Sequence, residues 1–166
     1  METVNYNSKQ PSGVYFQILP VTLVNQDKEI NTFAFLDVGS STTLITQDLK
    51  EKLNLKGTKR PLTMTWTDGS VQEEKDSEEV RVNIKGLNGK EYTCHNVRTT
   101  TKLNLPVQSI DEKDLKSKYP HLKGIELKAY ENDVPQLLIG LPHSYLTFGN
   151  ESRIGRFNEP IAQKPI

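Results

Sequence analysis

The stretch Phe33-Ala34-Phe35-Leu36-Asp37-Val38-Gly39-Ser40-Ser41-Thr42-Thr43-Leu44-Ile45 sets an ionisable side chain at the end of an apolar run. Thr32 to Leu36 shows no polar alternation, which fits a strand buried on both faces, and Asp37 ends it. A carboxylate is thus carried from a core strand into a turn. Gly39 lets backbone approach closely, while hydroxyls and N–H groups can hold a carboxylate. Ser40 is the candidate to orient Asp37, and Val38, Gly39 and Ser41 complete the supporting loop. Taken alone, Asp37-Val38-Gly39-Ser40 also suits an ordinary strand-ending turn with a capping aspartate.

Outward from this stretch the chain reads as short β elements. On the C-terminal side, Thr46 is placed to cap a short helix through Leu53, with Leu49 and Leu53 on one face and Asp48, Lys50, Glu51 and Lys52 outside. On the N-terminal side, a strand from Val14 to Val24 is interrupted by Pro20, which predicts an edge, bulge or break, and Asn25 to Lys28 makes a turn. Leu62 to Trp66 predicts a strand, Asp68-Gly69 a tight hairpin turn, and Val71 the start of a polar return strand. Val80, Val82 and Ile84 alternate with polar residues, Asn88-Gly89 turns, and Tyr92 to Val97 returns as a second hairpin. A short helix over Asp111 to Lys118 is stopped by Tyr119-Pro120. Gln136 to Ile139 is a buried strand ending at Gly140, Leu141 to Leu146 allows a helical turn, and Pro160 and Pro165 favour an extended tail.

These elements predict a mainly β fold with one or two short helices. Residues 1–13 are polar and read as a flexible lead-in, and residues 14–166 as a single domain, a length that suits one core.

Lys plus Arg and Asp plus Glu each number 21, so the formal charge is zero and nothing favours a nucleic acid or an anionic membrane. Cys94, the single cysteine, has no internal disulfide partner. No apolar run matches a membrane span, and the polar start lacks the core of a signal peptide; an intracellular, reducing setting is expected. Cys94-His95 has no second pair at metal-ligand spacing, and Cys94 is expected to be a buried structural residue. His121 and His143 stand beside prolines outside any catalytic motif and are expected to be structural or at the surface. Gly86 to Lys90 lacks the spacing of a phosphate loop. Neither metal nor cofactor is implied. Glu73 to Asp76 and Asp111 to Asp114 read as solvated charge runs.

The apolar run, Asp37-x-Gly39-Ser40, and the distant Leu138-Ile139-Gly140 together resemble the paired motifs of retropepsin-like aspartic peptidases. The resemblance is closest to the peptidase domain of Bel/Pao-type long-terminal-repeat retrotransposon polyproteins. Val14 to Val21, Leu103 to Pro106, Tyr119 to Leu122 and Leu137 to Gly140 look like that family's landmarks, and Pro160 to Pro165 approaches a later segment but stops before its Gly-Trp, as in a piece of a longer polyprotein.

This resemblance implies a closed β-barrel that dimerises, with Asp37 catalytic and Trp66, Thr67, Asp68 and Gly69 in a flap over substrate. The substrate would be a polypeptide, its own polyprotein, in the cytoplasm or a retroelement particle. Two close carboxylates share a proton and activate a water between them. Only Asp37 has the required setting in this chain, so its counterpart is expected from a second copy. The family has Thr or Ser where Val38 stands, and the missing hydroxyl leaves an alternative: a weak or inactive retropepsin-fold module for dimerisation or peptide binding.

Overall fold

The computed structural model describes residues 15–66, 69–86, 89–147, 149 and 151–164. The expected lead-in and the start of the first strand at Val14 lie outside them, as do Thr67, Asp68, Asn88 and Pro165.

Strand β1 (Ile18–Asn25) turns at Gln26 into β2 (Lys28–Leu36), and the two pair along their whole length, from Ile18 with Phe35 to Asn25 with Lys28. Gln26 takes the positive φ of 57° that lets the hairpin close. Pro20 lies within β1, in its first half. The second half, Thr22 to Val24, also pairs with β7, so Pro20 sits where, among the described residues, β1 has β2 alone as strand partner and its missing N–H interrupts no second ladder.

After the Asp37 loop come β3 (Leu44–Thr46) and helix α1 (Gln47–Lys52). Thr46 caps α1 by accepting the Leu49 N–H, and Leu49 and Leu53 are fully buried, as the apolar spacing predicts. The chain continues through β4 (Gly57–Lys59), the hairpin β5 (Leu62–Thr65) and β6 (Val71–Glu74), and the long hairpin β7 (Glu78–Lys85) and β8 (Glu91–Thr100). Both hairpins close alike: Trp66 N–H donates to Ser70 and Gly86 N–H to Lys90, with Gly69 and Gly89 at φ of 81° and 76°. The connection is one residue longer at each turn than a two-residue Asp-Gly or Asn-Gly turn.

Next are β9 (Gln108–Ile110), helix α2 (Glu112–Lys118), β10 (Tyr130–Asp133), β11 (Leu137–Ile139), a 3-10 turn over Leu141–Leu146, β12 (Glu151–Arg153) and β13 (Ala162–Lys164). Asp111 is not merely solvated: its carboxylate caps α2 through the N–H groups of Lys113 and Asp114. The tail is extended over Ala162–Lys164, as its prolines predict, and pairs there with β12.

The main sheet runs β1-β2-β11-β3-β8-β7-β4 and closes through β1 and β7 into a barrel of six strands. One edge of β7 is shared: its first residues pair with β4 and its last with β1. The interior is filled from all sides by Leu23, Ala34, Ile45, Val82, Val97 and Leu137. A second cluster lies between strands and hairpin, where Leu44, Leu103 and Leu138 meet Phe35, Leu62, Met64 and Leu105. The β5–β6 hairpin therefore rests on the strands that frame the Asp37 loop. A third cluster joins Leu115, Tyr119 and Leu122 of the α2 region to Tyr15, Ile110 and Ala162. Among the described residues no helix is long and apolar enough to cross a membrane.

Candidate active site

Strand β11 lies between β2 and β3, parallel to the first and antiparallel to the second. The loop from Asp37 to Thr43 joins those two outer strands and must therefore cross the end of the inner one. Three bonds lace it down. Asp37 N–H donates to the Ile139 carbonyl at 3.0 Å, Leu141 N–H to the Ser40 carbonyl at 2.8 Å, and Gly140 N–H to Thr43 Oγ1 at 3.0 Å. A Cβ on Gly140 would lie 2.8 Å from the Ser40 carbonyl oxygen and closer still to that of Thr42, so the crossing needs glycine for space.

Asp37 is partly exposed, and its Oδ1 accepts the Gly39 N–H at 2.9 Å. Its backbone carbonyl accepts the Ser40 N–H at 3.1 Å. Among the described residues no side chain bonds the carboxylate, which leaves its remaining lone pairs open to water or a second chain. Ser40 differs from expectation: its hydroxyl donates to the Thr42 carbonyl at 2.8 Å, and the Thr42 N–H returns to Ser40 Oγ at 3.3 Å. Ser40 braces the loop, and the group that holds the carboxylate is the Gly39 amide. Val38 is 48% exposed at the loop's outer edge, and Ser41 is exposed too.

Leu138 and Ile139 are buried in β11, Leu138 in the second cluster and Ile139 in the barrel. Of the expected flap residues, Trp66 is half-buried at the hairpin end and Gly69 is exposed, whereas Thr67 and Asp68 lie outside the described residues. The hairpin's base is fastened by polar contacts. The buried Arg98 guanidinium donates to the carbonyls of Arg60 and Pro61, just before β5. Glu74, at the end of β6, accepts from Gln72 Nε2, Thr100 Oγ1, and the N–H and hydroxyl of Thr101, all within 2.7–3.0 Å. Burial alone would raise the Glu74 pKa, but these donors outweigh it and hold the carboxyl below its ordinary range. The run Glu73 to Asp76 is therefore not uniformly solvated.

Cys94 is fully buried, and burial pushes its thiol pKa up to about 12, so it is no thiolate nucleophile. His95, the next residue on β8, faces outward. Among the described residues no three His, Cys, Asp or Glu side chains gather as a metal site.

His143, expected from the sequence to be structural or at the surface, is structural, and only its link to the Asp37 loop escaped the sequence. It is buried, and its Nδ1 lies 2.8 Å from Thr43 Oγ1, the hydroxyl that caps the loop crossing. Its place shortly after Gly140, on the turn that follows the crossing, is the signal that could have found it.

Comparison of the chain with protein-family models, curated proteins and solved structures finds no match.

Proposed function

We propose that the protein is a homodimeric aspartic endopeptidase of retropepsin-like fold. The observation that carries this reading is the Asp37 loop, which leaves a strand only half-buried at its end, where Phe33, Phe35 and Leu36 are partly exposed rather than buried on both faces, crosses Gly140 and presents a partly exposed carboxylate held by a backbone amide. Among the described residues no side chain bonds this carboxylate, so nothing there supplies a partner for acid–base work. Two copies related by a two-fold axis beside Asp37 would bring two carboxylates together, of which one keeps a proton and the other activates water. Water attacks the peptide carbonyl, and the protonated carboxyl assists, without a covalent intermediate.

Substrate would lie extended between this floor and the β5–β6 hairpin, whose Leu62 and Met64 pack on the same strands. The hairpin then acts as the flap, with Trp66 and Gly69 toward its tip. The substrate class is polypeptide, with the polyprotein of a retroelement as the natural target.

A second reading, a weak or inactive dimerisation or peptide-binding module, is favoured by one observation. Val38 is exposed beside Asp37 and has no hydroxyl to bond across the dimer axis. Peptide cleavage at mildly acidic pH separates the two. Concentrated dimeric protein should cleave, and Asp37→Asn should lower kcat by roughly a thousandfold or more while leaving dimer and fold intact. Equal cleavage by Asp37→Asn would sink the protease reading, and no cleavage by either would favour the module.

A further inference from the structure

Thr43 is 1% exposed and His143 7%, so neither can exchange its hydrogen bonds for water. Thr43 Oγ1 already accepts the Gly140 N–H at 3.0 Å. A hydroxyl that accepts from one side turns its own hydrogen toward the remaining neighbour, which here is His143 Nδ1 at 2.8 Å. The chain Gly140 N–H to Thr43 O–H to His143 Nδ1 is complete only when Nδ1 carries no proton. His143 also leaves the regular path of its turn, with φ −118° and ψ 22°, and its own N–H bonds the Gly140 carbonyl at 3.0 Å. Both polar groups of Gly140 are thus tied to His143, one through backbone and one through Thr43.

We propose that His143 is a positioning residue for Asp37: its neutral ring locks the loop crossing at Gly140, and its protonation unlocks it and sets the acid limit of proteolysis. This deepens the protease reading above and rests on it.

The surroundings of the ring fit that role. From the loop before β3 it meets Thr43; from β8, the backbone of His95; and from its own turn, Tyr145, with ring centroids 6.1 Å apart. Cys94, also on β8, acts on Tyr145. None of these is a carboxylate that would welcome a cation. Burial first, and then the charge of His95, lower the His143 pKa from its ordinary 6.5, and the favourable His95 backbone contact does not restore it. The lock therefore holds at neutral pH and into mild acid. In stronger acid Nδ1–H becomes a donor, competes with Gly140 N–H for Thr43 Oγ1 and leaves the Thr43 hydrogen without an acceptor.

The test compares full-length wild type, His143→Asn and His143→Ala, at concentrations where each is dimeric, by kcat and KM for peptide cleavage across pH. The Asn side chain offers an acceptor near Nδ1 and does not titrate. Asn should restore kcat to within about threefold of wild type near neutrality and move the acid limb to lower pH. Ala should lower kcat by roughly tenfold or more, with KM changed far less. An Asn acid limb that superimposes on that of wild type overturns the proposal. A second measurement needs no catalysis: NMR titration of the ring nitrogens should find Nδ1 unprotonated at neutral pH, with a midpoint below 6.5. A protonated Nδ1 or a higher midpoint overturns the lock. If no form cleaves peptide at all, the protease reading falls and the acid limit with it, while the NMR titration still decides the lock.

Discussion

At Gly140 the backbone is ordinary, with φ −90° and ψ −176°, values that any residue adopts. Its requirement for glycine is therefore steric alone, unlike Gly69 and Gly89, which have open space around them and positive φ. The atoms a Cβ would meet are the carbonyls of Ser40 and Thr42, backbone that cannot step aside without moving the Asp37 loop. Gly140→Ala should accordingly destabilise the fold by about 1–3 kcal/mol, as overpacking does, and lower cleavage more than stability at temperatures where the variant stays folded. Thermal denaturation beside peptide cleavage checks this, and an unchanged melting temperature with unchanged kcat would refute it. Asp37 and Gly140 were both legible in the sequence, because an apolar run that ends in a charge, or in glycine, is a local pattern. The roles of Ser40 and His143 were not. A hydroxyl in a turn chooses between neighbouring acceptors by backbone geometry, and a histidine between loop residues does not announce that Thr43, a hundred residues away, will take its Nδ1.

The β5–β6 hairpin forms a sheet of its own, so its attachment to the barrel depends on apolar contacts under Leu62 and Met64 and on the polar ties of Arg98 and Glu74. Glu74 is the titratable tie. Its folded pKa lies below the ordinary 4.5, so the stability it contributes is fully present above about pH 4.5 and is lost as pH falls through the lower folded value. Glu74→Gln keeps one acceptor oxygen but replaces the other, which takes the Thr101 hydroxyl, with an N–H₂ and removes the charge that strengthens all four bonds, so it should cost on the order of 1–3 kcal/mol at neutral pH. The stability gap to wild type should narrow on acidification, because wild type loses the same tie. Thermal melts of both forms over an acid series measure it, and a gap constant with pH would show that the carboxylate is not the anchor. The hairpins were visible from Asp68-Gly69 and Asn88-Gly89, but this anchorage was hidden inside what looks like a solvated charge run. The pairs β9–β10 and β12–β13 escaped notice for another reason: three- and four-residue strands carry too little periodicity, and partners far along the chain hold them. Gln108 illustrates this. Its buried amide accepts the Phe16 N–H and donates to the Phe16 carbonyl, in place of a strand neighbour, and nothing local foretells it.

For the whole molecule, local patterns predicted most of the strands of the barrel but not their order. That β11 inserts between β2 and β3, and that β1 divides its length between one neighbour and two, are long-range pairings that periodicity could not foretell. The same scale governs activity if the proposed function holds, since a barrel with one Asp37 is half a site. Specific activity should rise with protein concentration and level off where sedimentation shows dimer. Val38, exposed beside that site, is the position where association can be tuned. Val38→Thr would supply a hydroxyl in each copy; at about 0.5–1.5 kcal/mol per hydrogen bond, dimer dissociation should tighten by roughly tenfold. Val38→Asp would instead crowd two further carboxylates around a pair that already shares one proton, so it should weaken the dimer and abolish cleavage at low concentration. Sedimentation and specific activity, measured on the same dilution series for all three forms, must shift together. Activity that stays constant per molecule down to dilutions where the protein is monomeric would mean that a second Asp37 is not the missing carboxylate, and the two-fold site would have to be abandoned.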